Sequence, residues 1–195
     1  MTVADIYLAS RSPRRRQLLQ QIGIDCHIIQ ADVDETPLPA EAPDAYVLRL
    51  AQQKAEAGVA ALPADAPARP LLAADTAVVV EQQILGKPDD EAGFIDMMQL
   101  LSGRRHQVLT GIAVSHGEIT KTALSTTEVH FRELSAGEMH AYWRTGEPHD
   151  KAGGYGIQGH GAIFIREIRG SYSGVMGLPL YETAELLRQF GVYCL

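Results

Sequence analysis

The stretch that most constrains the fold is Ser10-Arg11-Ser12-Pro13-Arg14-Arg15-Arg16, which directly follows the apolar run Ile6-Tyr7-Leu8-Ala9. The apolar run predicts a short buried strand. Ser12-Pro13 predicts a helix start, with serine as N-cap and proline at the first helical position. Three arginines then crowd a helix terminus that already carries about half a positive charge. Cations are unfavourable there unless something negative joins them. A strand, a tight turn, free backbone N–H groups and an arginine cluster together describe an anion site suited to phosphate.

The rest of the chain alternates helices and strands. Pro13–Ile22 predicts a helix ending at Gly23, with Leu18, Leu19 and Ile22 buried, and Cys26–Ile29 a second strand. An acidic loop spans Asp32–Pro39, and a long helix runs from about Asp44 to Ala61. Leu71–Ala74 predicts a buried strand that delivers Asp75 and Thr76 at its end. A hairpin over Ala77–Val80 and Ile84-Leu85 follows. Asp89–Leu101 predicts a helix, and Val108–Ser115 pairs with Ile119–Phe131 across His116-Gly117. Ser135 and Glu138 form a capping-box pattern. Gly153–Gly159 is too glycine-rich for a regular element and suits close approach of backbone to a ligand. Ala162–Ile168 predicts a strand and Pro179–Phe190 a closing helix. The expected fold class is α/β, with a mixed, strongly twisted sheet rather than a purely parallel one.

Composition narrows the function. At 195 residues the chain fits one domain, or two tightly fused lobes. A net charge of −7 argues against a broad nucleic-acid surface, so the basic residues that matter act locally. No apolar segment suits a signal peptide or a membrane span, and the two cysteines, Cys26 and Cys194, lack metal-ligand spacing. A soluble cytoplasmic protein with free thiols is expected. The pattern of a P-loop is absent, as are a Gly-x-Ser-x-Gly elbow and a close histidine pair.

Candidate chemistry then falls on few residues. Arg15 precedes Leu18 and Leu19 by three and four positions and leans toward the buried side of its helix. Lys54, on the apolar face of its helix, reads alone as a snorkelling lysine, and Lys87, between Gly86 and Pro88, as a loop lysine. Both gain meaning beside a polyanion. Asp75 follows an apolar strand, where ligands of open α/β sheets gather. Glu35 sits in the acidic loop. Carboxylates beside basic residues are what a magnesium-dependent phosphoryl-transfer site requires.

Leu8-Ala9-Ser10-Arg11-Ser12-Pro13-Arg14-Arg15, Lys54-Ala55, Ala74-Asp75-Thr76, Gly86-Lys87-Pro88, Asp150 to Gly159 and Gly177-Leu178-Pro179-Leu180 occur in the order seen in Maf proteins. The chain resembles that family over essentially its whole length. One departure is Ala74, where the family more often has glycine. The resemblance implies an inosine-triphosphate-pyrophosphatase-like architecture with a central cleft. It also implies a nucleoside triphosphate pyrophosphatase using a divalent cation, Mg2+ or Mn2+. Asp75 would be the catalytic base or a metal ligand, with Glu35 as a second ligand. Ser12, Arg14, Arg15, Lys54 and Lys87 would bind the triphosphate. Arg14, Thr76 and Gln158 match the set implied for specificity toward dTTP and UTP, and Gly153–Gly159 would close over the base. The amide of Gln158 offers both donor and acceptor, which suits the alternating edge of uracil and thymine. Two alternatives stay open: a 7-methyl-GTP pyrophosphatase, and a nucleotide-binding regulator of cell division. No nucleic-acid or membrane partner is expected, and a homodimer is the preferred assembly.

Overall fold

Seven strands join in one mixed sheet in the computed structural model, which describes residues 5–194. Positions 1–4 and 195 of the expected unit lie outside the described residues. The strands are β1 (Ile6–Ala9), β2 (Cys26–Ile29), β3 (Leu71–Val80), β4 (Gln83–Leu85), β5 (Arg105–His116), β6 (Ile119–Phe131) and β7 (Ile165–Arg169). Their order is β2-β1-β3-β5-β6-β7, with β4 also on β3. β1 runs parallel to β2 and β3; the other pairings are antiparallel. The α-helices are α1 (Pro13–Gln21), α2 (Pro43–Ala60), α3 (Glu91–Leu101), α4 (Ala136–Trp143), α5 (Tyr172–Val175) and α6 (Leu180–Arg188). Among the described residues, no helix is long and apolar enough to cross a membrane.

Side chains alternate across a strand, and both faces of this sheet are covered. Ile6, Leu8, Leu72, Ala74, Ile112 and Val114 pack with Leu18 and Leu19 of α1 and Leu186 and Leu187 of α6. The intervening Tyr7, Ala9, Leu71, Ala73 and Ala113 pack with Ala51 and Ala55 of α2. Coverage on both sides is why these strands read as unbroken apolar runs. Farther along, Val78, Val80, Val108 and Phe131 join Phe94 and Met98 of α3 and Met139 of α4. Full burial of a side chain such as Phe94 contributes about 1.5–3 kcal/mol.

β3 departs from the expectation of a strand ending at Ala74. It is a single strand of 10 residues. β5 pairs with it from Leu71 to Val79, carrying it unbroken through Asp75 and Thr76, opposite Gly111 and Thr110. On the other edge, β1 pairs with Leu71–Ala73 and β4 with Val78–Val80. Ala74–Ala77 lie between those two pairings. Asp75 and Thr76 therefore occupy a gap along one edge of the sheet, and they point to opposite faces.

Other differences are local. Ser12 stands at the N-cap position of α1, but its side chain makes no cap hydrogen bond. Instead the Ser12 N–H donates to Ser10 Oγ at 3.1 Å. The strand expected from Ala162 begins only at Ile165, because His160–Phe164 forms a 3-10 turn. The short α5 has no counterpart in the sequence expectation. The capping box of Ser135 and Glu138 forms as expected at the start of α4.

Candidate active site

The gap beside β3 opens on a cavity of about 590 Å3. Ser12, Arg14, Arg15, Glu35, Lys54, Asp75, Thr76, Lys87 and Gln158 all line it. These nine residues are thus brought to one place, with Arg15 and Asp75 sharing a single cavity, whereas Arg16 of the arginine run does not line it.

Asp75 is an odd-numbered residue of β3, so it points to the same face as Leu71 and Ala73, the face covered by α2. Lys54 comes from the inner side of α2. Its Nζ lies 2.6 Å from Asp75 Oδ1 and 2.6 Å from Glu35 Oε1. Glu35 reaches that point because its loop is tied to α2. The Tyr46 O–H donates to the Glu35 carbonyl at 2.9 Å, and Arg49 Nη2 to the Thr36 carbonyl at 3.3 Å. Arg49 is itself fixed by Glu41, with Nε 2.6 Å from Oε1.

The two carboxylates are driven apart electrostatically. Burial raises the pKa of Asp75, and the opposing charge and hydrogen bond of Lys54 do not cancel it. Burial also works to raise Glu35. There the hydrogen bond and charge of Lys54, with Lys87 and Arg15, outweigh it and leave a lowered value. A pair of carboxyl groups separated in this way divides naturally into a proton acceptor and a permanent anion.

Thr76, on the other face, meets α1 and the C-terminal segment. Arg15 donates from Nε to the Gly177 carbonyl at 2.7 Å, from Nη1 to Ser10 Oγ at 3.3 Å, and from Nη2 to Thr76 Oγ1 at 3.4 Å. Burial lowers its pKa, against the raising influence of Asp75. A guanidinium carries five N–H donors. Three are used by these oxygens, so two are left for an anion in the cavity. Among the described residues, Arg14 and Lys87 have no hydrogen-bond or ion-pair partner in the protein. Without a direct ion pair, their charges still act on carboxylates of the cavity, Lys87 on Glu35 and Arg14 on Asp150.

Several cavity residues escaped the sequence reading. Glu147, Asp150 and Lys151 also line the cavity, and Lys151 Nζ lies 2.6 Å from Asp150 Oδ1. Asp150 and Lys151 stood in a recognised motif, without any signal that gave them a role. Tyr46, Arg49 and Thr110 act behind the cavity, where only tertiary contacts reveal them. The glycine-rich segment is joined to the Lys87 turn through the Gly153 N–H, which donates to the Gly86 carbonyl at 2.9 Å.

Known proteins resemble this chain over most of its length. A family profile described as Maf-like protein matches residues 5–190. A protein of Aromatoleum aromaticum named dTTP/UTP pyrophosphatase is 52% identical, over 96% of each chain. One of Methylobacillus flagellatus with the same name is 55% identical, covering 96% of this chain and 93% of its own. One of Saccharophagus degradans, again so named, is 51% identical over 97% and 90%. Among solved structures, the Ham1 protein of Staphylococcus aureus aligns over 65% of this chain and 71% of its own, with a TM-score of 0.46 and 22% identity. The matched span runs from the residue before β1 to beyond α6 and takes in the nine cavity residues expected from the sequence, so the chain belongs to the Maf family.

Proposed function

We propose that this protein hydrolyses the α–β phosphoanhydride of dTTP and UTP, releasing the nucleoside monophosphate and pyrophosphate. The observation that carries the proposal is the convergence of Asp75, Glu35 and Lys54 with Arg14, Arg15 and Lys87 on one cavity. Relatives about half identical over nearly their full length bear that activity in their names.

In this reading Arg14, Arg15, Lys54 and Lys87 spread positive charge around the triphosphate, and Ser12 with the α1 N-terminus takes one phosphate group. Asp75 accepts the proton of an attacking water. A bond forms between the water oxygen and the α phosphorus. The bond from that phosphorus to the bridging oxygen breaks, and its electron pair leaves with pyrophosphate. Gln158 faces the base.

The donor set fits a hard divalent cation. Two carboxylates, Glu35 and Asp75, already converge on one cationic point, the Lys54 ammonium. Magnesium is commonly held by one or two carboxylates together with substrate phosphates. When bound, Mg2+ or Mn2+ neutralises phosphate charge and lowers the pKa of a coordinated water toward about 7. Glu35 and Asp75 would hold it. The reading includes a cytoplasmic setting, in keeping with the free thiols of Cys26 and Cys194. It also includes a homodimer as the preferred assembly.

The test is a nucleotide panel read by product identity. Purified protein with dTTP and magnesium should release dTMP and pyrophosphate, and 7-methyl-GTP should turn over at least about tenfold more slowly. Release of dTDP and orthophosphate would place cleavage at the wrong bond. Faster turnover of 7-methyl-GTP would reassign the base pocket.

A further inference from the structure

We propose that Glu147 is a positioning residue for base selection: its carboxylate, with the Tyr142 hydroxyl, clamps both ends of the Gly156–Gly161 segment and so sets where Gln158 stands. The inference rests on the reading that Gln158 faces the base.

Glu147 opens a 3-10 turn after α4, following Gly146 in the left-handed region. Its Oε1 accepts from the Tyr142 O–H at 2.7 Å and from the Gly161 N–H at 3.2 Å. Its Oε2 accepts from the His160 N–H at 2.7 Å. The Tyr142 oxygen in turn accepts from the Gly156 N–H at 3.0 Å, and Lys151 Nζ donates to the Glu147 carbonyl at 2.8 Å. One carboxylate and one phenol thus hold the segment at residues 156, 160 and 161. Gln158 lies between those anchors, is exposed, and has no hydrogen-bond partner among the described residues. Its place in the cavity is therefore dictated by the backbone that the clamp fixes.

The glycines of the segment give an independent sign that the wrapping is built in. A Cβ at Gly161 would come within 2.7 Å of the Tyr142 hydroxyl. At Gly156 it would come within 2.9 Å of Lys151 Cε and 3.0 Å of Glu147 Oε1. At Gly159 it would collide with the Glu147 carboxylate itself. The spacing of these glycines follows the approach of backbone to one half-buried acid, Glu147. Both carboxylate oxygens are engaged by protein donors, so Glu147 acts through the loop.

The experiment measures kcat and KM for dTTP and dGTP in the parent and in Glu147→Gln, Tyr142→Phe and Gln158→Ala. Glutamine keeps the size but turns an NH2 group toward backbone N–H donors. The expected result has three parts. Gln158→Ala lowers the dTTP-over-dGTP preference in kcat/KM. Glu147→Gln and Tyr142→Phe lower it in the same direction, by about tenfold and threefold, chiefly through KM for dTTP with kcat within about threefold of the parent. The double variant falls short of the product of the two effects, since both residues belong to one network. Tyr142→Phe loses a single hydroxyl and keeps the test alive should Glu147→Gln not fold. If Gln158→Ala changes the preference while the clamp variants leave it intact, or lower both substrates alike through kcat, the positioning role is overturned. If Gln158→Ala itself leaves the preference unchanged, the assignment of Gln158 to the base fails first.

Discussion

Lys54 Nζ sits 2.6 Å from Asp75 Oδ1, and the same ammonium holds Glu35 at 2.6 Å, so the proposed base never stands as an isolated buried anion. The pairing does not overcome the cost of burying Asp75, whose pKa stays raised. Asp75→Asn keeps the shape, and Lys54 retains Glu35 as partner. The variant should lose about 10²–10⁴-fold in kcat while melting at or above the parent temperature at pH 7–8. Pyrophosphate release and a thermal melt on one preparation check both halves. An active variant removes Asp75 from the chemistry.

The opposite displacement of the two carboxylates gives opposite pH signs for stability. Asp75, raised in the fold, contributes stability that is complete below its ordinary 3.8 and is lost as pH rises through its folded value. Glu35, lowered in the fold, contributes stability that is present above its ordinary 4.5 and lost as pH falls through its folded value. At pH 7, Glu35→Gln should therefore lower the melting temperature and Asp75→Asn should not. The Glu35 effect should stay under about 1 kcal/mol, because its side chain is 47% exposed and screened by solvent. Melts from pH 3.5 to 8 test the crossing; two variants moving in parallel would contradict it.

Thr76 is tied into a chain with a definite direction. Thr110 Oγ1 donates to the Gly174 carbonyl at 2.9 Å, so its proton is used. In the 3.0 Å contact between the two threonine hydroxyls, Thr76 must then be the donor. Its oxygen is left to accept from Arg15 Nη2 at 3.4 Å. Thr76 thereby acts through Arg15. Thr76→Val should raise KM for dTTP about tenfold, the scale of one lost hydrogen bond to a charged group, whereas Thr76→Ser should stay near the parent. Equal behaviour of the two variants in steady-state kinetics would refute the chain.

Most of this site was legible because its chemistry is local in the sequence. The Ser-Pro-Arg run after an apolar strand pointed to residues that do line the cavity, and the Ser135–Glu138 box marks its own helix. Asp75 was recognised, but its setting was misjudged. A polar Asp-Thr pair between apolar runs looks like a strand end, and only the ladder to Gly111 and Thr110 carries β3 through it. Glu147 and Tyr142 gave no signal because each acts on a backbone 14 residues away. Sequence periodicity holds no trace of a carboxylate receiving N–H groups from a distant loop. The same is true of Tyr46 and Arg49, which read as ordinary helix residues and prove to hold the Glu35 loop.

Gly111 decides how closely α2 can approach the sheet. A Cβ there would lie 2.5 Å from the Val47 carbonyl oxygen and 2.7 Å from its carbon, both backbone atoms of α2. No side-chain rotation relieves that contact, so the helix must retreat, taking Lys54 with it. Gly111→Ala should cost about 1–3 kcal/mol, as overpacking does. For a chain of this size that amounts to a melting-temperature drop of roughly 2–12 °C. Activity should fall further than that stability loss explains at 25 °C, because the distance from Lys54 to Asp75 changes. A variant that melts and turns over like the parent would show that α2 adapts freely.

His106 makes a last prediction, away from the chemistry. It is buried, its ring meets Phe131 and Tyr155 edge to face, and its Nε2 is 2.8 Å from the Tyr155 oxygen. Nδ1 has no partner. Burial first, and the nearby His130 second, hold its pKa at about 4 instead of the ordinary 6.5. The unfolded chain takes up that proton below pH 6.5, and the folded chain takes it up only near pH 4. The neutral ring thus contributes stability that is complete above pH 6.5 and is lost as pH falls toward 4, by roughly 3 kcal/mol in all. His106→Phe leaves the Tyr155 hydroxyl without its partner, so its absolute stability shifts. Its slope of stability against pH should nonetheless flatten across that window. Urea unfolding at pH 4, 5, 6 and 7 measures the slope directly, and an unchanged slope in the variant would mean that another group drives the acid sensitivity.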